Sequence, residues 1–356
     1  MVREDPVDLM GLDGTSTYCW FAAAMASREE ASQPRVLVSR SGQALTGILP
    51  LLRASRNKLG SELCTVTDII GGRNGLLMSS LDKGTLSVLL SHVKDAFPDW
   101  VALRFNMVAG SPHAEMFAAT CRALGYPLHQ QITPPSPFFP LLKSDEEFRP
   151  GVSKNVTQTM RKARNKAAKT GTLRFREFTT EGEAEELLQA VMLIERQSWK
   201  QGAGTAITSR PEQEAFYRAL FPRAMREGLL LGLVLYLDEV PIAHHFGLIR
   251  GQVFSCLKHS NVESEAKLSP SHLVMDDLFP RLRAYGVKHL DCMGASEPHK
   301  LRWSNQNRFY ERVSFTVYNK NLKGRVLSAA RRLKATLQTK PSASPKDNLE
   351  PNADHD

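Results

Sequence analysis

The sequence predicts an α/β (α+β) fold of two similar units, each a mixed, largely antiparallel sheet flanked by helices. Three observations carry this. The chain has 356 residues, too many for one ordinary core at about 150 residues per domain. Hydrophobic residues make up 42% and charged residues 23%, the proportions of a globular protein, which excludes a mostly disordered chain. One pattern also occurs twice. VLVSRSGQALTGILPL from Val36 and LVLYLDEVPIAHHFGL from Leu233 both read as strand, two-residue polar turn, strand, with a small residue just after the turn.

Taken in order, strands over Arg35–Ser39 and Ala44–Leu52 join at Ser41-Gly42 as a hairpin. A helix over Leu86–Ala96 and a strand over Trp100–Phe105 complete the first unit. The run ITPPSPFFPLL from Ile132 lacks backbone donors at its prolines and favours extended chain, so it reads as a crossover between domains. Ser153 stands at the N-cap of a basic helix over Val156–Lys169 that stops at Gly171. In the next helix, Glu183–Trp199, the i+4 series Leu187, Val191, Glu195, Trp199 sets a carboxylate on an apolar stripe. A carboxylate there needs either an ion-pair partner or a catalytic task.

Strands over Leu229–Leu237, Val240–Ile249 and Gln252–His259 turn at Asp238-Glu239 and Arg250-Gly251 as an antiparallel meander. A helix over His272–Tyr285 and a strand over Lys288–Cys292 repeat the ending of the first unit. Leu322–Gln338 sets Leu322, Val326, Leu333 and Leu337 against a basic face, and either docks on the protein or lies on an anionic membrane surface. The organisation expected is two units over 1–140 and 141–320, a basic amphipathic helix over 321–340 and a polar, disordered tail over 341–356.

Charge narrows the partners. Lys+Arg 46 against Asp+Glu 37 gives +9. The excess is concentrated in Lys154, Arg161, Lys162, Arg164, Lys166, Lys169 and Arg174, and again near the C-terminus from Lys320 to Lys340. Such clusters are either solvated helix faces or attractors of polyanions: nucleic acid, a phosphorylated cofactor or an anionic membrane. No zinc-finger spacing or RNA-recognition signature accompanies them. The five cysteines are scattered, without a C-x-x-C pair or a Cys-His nucleophile context, which fits reduced thiols in a cytoplasm and neither a metal site nor a covalent acyl-enzyme. No apolar run approaches the roughly 20 residues of a membrane span, and the start lacks a signal pattern.

Four motifs follow one another in the second half: ERQSWKQGAGTAI from Glu195, VPIAHHFGLIRGQVFSCLKHS from Val240, KLSPSHLVMDDLFPRLRAYGVKHLDCMG from Lys267 and EPHKLRW from Glu297. With the basic helix from Ser153, this set resembles the acyl-CoA N-acyltransferase (GNAT) superfamily. More closely it resembles the CelD-like branch of cellulose and exopolysaccharide biosynthesis, which is related to the Fem-type aminoacyltransferases. The resemblance runs from about Pro34 to Phe315. It departs from the branch's Glu-Pro-aromatic-Lys-x-x-Trp pattern at His299, which stands at the aromatic position.

The resemblance implies two tandem GNAT-like folds, the first degenerate, and acyl-CoA (acetyl-CoA foremost) as co-substrate. The cradle for its pyrophosphate would be Leu268, Ser269, Pro270, Ser271 and His272, where a strand leads into a helix N-terminus, with a serine cap. The oxyanion donor would be a backbone amide near Cys256, Leu257 and Lys258. Candidates for the base are Asp291, Glu297, His299, Glu195 and His244. His244 and His245 are adjacent on a strand, so only one of them points at the cleft. Lys300 and Arg302 would meet a phosphate or carboxylate, and Trp199, Lys200 and Trp303 would line the substrate site, with Trp303 also suited to packing. The acceptor implied is an amine of an amino sugar or another polysaccharide or cell-envelope precursor. Two other readings stay open: a Fem-like enzyme using aminoacyl-tRNA, and a non-catalytic scaffold on a membrane or polyanion. The location expected is cytoplasmic, with peripheral contact at the inner membrane face.

Overall fold

A computed structural model describes residues 14–28, 34–65, 76–167 and 169–338. Its helices are α1 (Tyr18–Ala26), α2 (Lys83–Ser91), α3 (Val93–Ala96), α4 (Pro112–Ala123), α5 (Asp145–Phe148) and α6 (Lys154–Ala167), then α7 (Ala184–Arg196), α8 (Trp199–Gly202), α9 (Pro211–Arg226), α10 (Pro270–Ala284), α11 (Pro298–Leu301) and α12 (Leu322–Gln338). The strands are β1 (Arg35–Ser41), β2 (Ala44–Asn57), β3 (Gly60–Thr65), β4 (Leu77–Met78), β5 (Trp100–Val108) and β6 (Leu128–Pro140), then β7 (Leu173–Phe178), β8 (Leu230–Leu237), β9 (Val240–Arg250), β10 (Val253–Asn261), β11 (His289–Asp291) and β12 (Arg308–Tyr318).

All of these strands join one mixed sheet in the order β1-β2-β3-β5-β12-β6-β11-β10-β9-β8-β7, with β4 on β2. The order is nearly a mirror about the β12–β6 pair. On each side a hairpin (β1-β2, β8-β9) leads to an antiparallel neighbour (β3, β10), then to a parallel partner reached through a helix (β5, β11). This is the duplicated unit expected from the two matching sequence stretches. Each half is completed by the other. β12, from the end of the chain, lies between β5 and β6, and β6 reaches across to pair with β11. The exchange extends to the start of the chain, where Trp20 of α1 packs edge-on against Phe216 of α9, with ring centroids 4.8 Å apart.

The proline-rich segment is therefore strand rather than linker. Thr133 pairs with Arg312 and Ser136 with Tyr310, so Pro134 and Pro135 fall in a bulge where no ladder donor is required. The chain passes between halves after Pro140, through α5 and a 3-10 turn at Arg149–Gly151. The hairpin turn is Gly42-Gln43, one residue later than read from the sequence, with Gly42 at φ +58 where glycine is unstrained.

Ser153 caps α6 as expected, its Oγ accepting the Val156 N–H at 3.3 Å. The basic run from Lys154 to Arg174 is partly spent. Arg164 pairs with Asp276 of α10, a carboxylate that also takes Arg149 at 2.9 Å, and Arg174 pairs with Glu239 at 2.5 Å. The predicted helix to Trp199 breaks at Gln197-Ser198. Ser198 is extended (ψ 157), so Trp199 begins a separate turn and is 60% exposed instead of continuing the buried stripe. α12 packs on β5 and β12 through a face that includes the buried Ser328, while Leu322, Val326 and Leu333 are exposed. The helix does dock, though with a face other than its apolar stripe. The side chain of Leu337 and the tail over 341–356 lie outside the described residues.

Candidate active site

The parallel strands β10 and β11 pair only over Val253–Ser255 and His289–Asp291. Beyond Ser255, β10 runs on to Asn261 with no strand on that edge among the described residues, while the chain after Asp291 turns away through Met293. Backbone groups along such an edge are available to a ligand. The turns flanking the gap are strained, since Ser269 and Met293 both hold φ 47 without being glycine. The Met293 turn is fixed by Asp291 Oδ1, which accepts the Met293 N–H at 2.9 Å.

β10 also bulges at the gap. Cys256 pairs with Gly247 and Lys258 with Phe246, leaving Leu257 as the extra residue. The close approach demands glycine opposite, because a Cβ at Gly247 would come within 2.4 Å of the Ser255 carbonyl oxygen. In a regular strand residues three apart face opposite sides. The inserted residue resets that phase, so Cys256 and His259 both face α10, while Lys258 faces α7.

On the α10 side lies a cavity of about 90 Å³ whose lining includes His245, Cys256, His259, His272, Cys292, His299, Lys300 and Trp303. His245 and His259 are direct cross-strand partners with rings stacked 5.4 Å apart. Cys256 Sγ lies 3.4 Å from His245 Nε2, a Cys–His contact that neither residue's sequence neighbours reveal. Burial pushes the Cys256 thiol up to about 12 and, with His244 and Lys200 adding to it, the His245 imidazole down to about 3. Both are thus neutral near pH 7, which is not the ion pair of a nucleophilic cysteine. Burial also lowers His259, His272 and His299.

The cradle turn borders this cavity. Leu268 and Pro270 are buried, whereas Ser269, Ser271 and His272 are partly exposed. Neither serine caps α10. The Ser269 side chain makes no cap bond, and Ser271 Oγ donates to Asn261 Oδ1 at 2.7 Å. His272 lies against Trp303, with centroids 5.6 Å apart, and Trp303 also packs on Phe279. At the mouth, Glu297 Oε2 is 3.4 Å from His299 Nε2, and both side chains are about half exposed. Lys300 Nζ donates to the Met293 and Ala295 carbonyls at 3.0 and 2.8 Å. Arg302 is exposed, and its carbonyl accepts the Ser153 N–H at 2.9 Å.

Glu195 and His244 sit on the opposite face. Glu195 is fully buried, 3.4 Å from His244 Nε2, 3.6 Å from Lys200 Nζ and 3.4 Å from Lys258 Nζ, and it accepts the Ile207 N–H at 2.9 Å. Burial alone would raise its pKa; His244 and the two ammonium groups outweigh that and hold it well below the usual carboxylate range. Burial lowers His244. Lys200 donates to the His259 carbonyl, and the Tyr310 hydroxyl donates to Asp291 Oδ1 at 3.0 Å. The geometry therefore gathers Cys256, His272, His299, Lys300 and Trp303 around the cavity, together with His245, the member of the adjacent pair that was not singled out. Asp291 holds the turn beneath, and Glu195, Lys200 and His244 form a buried charge cluster behind the sheet.

On that face a second cleft, of about 560 Å³, opens between the halves, with Arg28, Arg104, Arg210, Glu212 and Gln213 among its lining residues.

Residues 154–301 match the family model described as an acetyltransferase (GNAT) domain. No curated protein sequence matches the chain. Among solved structures, FemX superposes with TM-score 0.62 at 10% identity, over 89% of this chain and 94% of that one. A conserved protein of unknown function from Bacteroides thetaiotaomicron gives 0.54 at 13%, over 85% and 91%. The C-terminal domain of a putative lysylphosphatidylglycerol synthetase from Agrobacterium fabrum gives 0.51 at 11%, over 90% and 96%. At these identities the likeness is one of fold. The segment matched to a GNAT domain contains the β10–β11 gap, and the chain as a whole shares the fold of FemX.

Proposed function

We propose that this protein moves an acyl group, acetyl foremost, from acyl-CoA to an amine by direct attack on the thioester. The observation that carries the reading is the open edge of β10 beside its bulge, with a cavity in the gap and the N-terminus of α10 at its rim. An unpaired edge offers backbone N–H groups to a pantetheine arm and, at Cys256–Lys258, to the oxyanion that forms as the amine attacks. The first turn of α10 leaves amides and a positive dipole end toward the pyrophosphate, and the exposed Lys154, Arg161 and Lys162 of the adjacent α6 add charge for the remaining phosphate.

His299 is the base in this reading. It lines the cavity, burial keeps it neutral near pH 7, and Glu297 lies within 3.4 Å to orient it. The motifs resembling the CelD-like branch support an amino sugar or similar envelope precursor as acceptor. The arginine-lined cleft suits an acceptor that also carries an anionic group. Exposed Leu322, Val326 and Leu333 on the basic α12 suit peripheral contact with an anionic bilayer, and no described helix is long and apolar enough to cross one.

A thermal-unfolding series with CoA tests the reading directly. At about 100-fold its Kd, CoA should add about 2.7 kcal/mol, and acetyl-CoA should release thiol when amino sugars are supplied. No shift and no thiol release would overturn it; salt-sensitive tRNA binding in their place would install the aminoacyl-tRNA reading.

A further inference from the structure

We propose that His245, Cys256 and His259 form a binding site for a borderline-soft divalent d-block cation of the zinc class. The inference does not rest on acyl transfer. The three donor atoms lie within 4.8 Å of one another, with Cys256 Sγ 3.4 Å from His245 Nε2. A tetrahedral zinc with Zn–N of about 2.0–2.1 Å and Zn–S of about 2.3 Å needs N···S edges of about 3.6 Å. One edge is therefore already near that length, and the two stacked imidazoles must turn until their in-plane lone pairs converge to close the others.

The set is built by the strands. His245 and His259 are cross-strand partners whose stacked rings share one face of the sheet. The bulge at Leu257 delivers Cys256 to the same face. Residues 245, 256 and 259 thus converge despite a spacing that matches no metal motif. Two imidazoles and one thiol select zinc-like ions over magnesium or calcium, which prefer oxygen donors. Three protein donors beside a cavity of about 90 Å³ leave a fourth position for water or a ligand, each water occupying about 30 Å³. Two neighbouring ammonium groups are held by backbone carbonyls: Lys200 donates to that of His259 and Lys300 to those of Met293 and Ala295.

The full chain, stripped with a chelator and free of CoA, is titrated with Zn²⁺ against a chromophoric chelator, and in parallel with Co²⁺ to read the thiolate-to-metal charge-transfer band. One equivalent should bind and the band should appear. Cys256→Ser should remove the band and weaken binding at least tenfold, and His259→Ala should weaken it by a similar factor. Cys121→Ser, in the other half, should change neither. Thermal unfolding of each variant checks the fold, and the partly exposed His259 carries the test if Cys256→Ser does not fold. Binding no tighter in the wild type than in His259→Ala, or a charge-transfer band surviving in Cys256→Ser, overturns the proposal.

Discussion

In the N-terminal half β3 pairs with β5 as far as Cys64, its next-to-last residue, whereas in the C-terminal half β10 leaves β11 at Ser255 and continues to Asn261 paired on its β9 side alone. Burial divides the same way. Among the described residues, every buried carboxylate or histidine (Glu195, His244, His245, Asp276, Asp291) lies beyond residue 140, while the buried polar groups before it are hydroxyls such as Ser61, Ser111 and Thr120. The two halves share a strand plan, yet among the described residues only one parts its parallel strands and desolvates ionisable groups, both of which cost stability. A duplicated fold can thus keep one copy as a well-packed wall and concentrate the costly features where chemistry is to be done.

The contrast is sharpest at Glu195. Glu195→Ala should cost about 3–5 kcal/mol in urea unfolding, because Lys200 and Lys258 are left facing a buried void. Ser61→Ala, which removes a 2.8 Å bond to Asp99 in the other half, should cost only about 1 kcal/mol. Equal costs would break the comparison.

Acid comes next. His245, held at about 3 when folded, takes up a proton in the unfolded chain near 6.5. The unfolded state therefore binds more protons as pH falls below 6.5, and stability drops with it. In metal-free protein His245 alone should account for about 2 kcal/mol between pH 7 and pH 5, and His245→Gln should flatten that slope.

The smallest effect belongs to the outer face of the first half, where α12 rests on β5 and β12. Val326→Glu should leave the melting temperature nearly unchanged, since Val326 is 53% exposed, while sedimentation with phosphatidylserine-containing vesicles falls severalfold. Unchanged sedimentation would separate this helix from membranes.

The sequence displays what is local. Both hairpins, the Ser153 cap, the repeat of helix and short strand, and the carboxylate of Glu195 amid apolar residues are legible because turn chemistry and periodicity act over a few residues. The exchange of β6 and β12 is not legible, since strand partners far apart in the chain leave no short-range mark. The cavity's His245–Cys256–His259 set was hidden by the bulge, because period-two reading puts Cys256 and His259 on opposite faces. Trp199 was misplaced for a related reason: a single extended residue, Ser198, ends a stripe that spacing alone would continue.

The mutual loan of strands makes the chain the covalent equivalent of a swapped dimer, in which each partner completes the other's sheet. Cutting it after Pro140 would strand β12 without its neighbours and leave β11 with a bare flank, so neither piece is a portable module. Tethering in one polypeptide replaces a concentration-dependent association with an intramolecular one, and the seam then holds at any dilution.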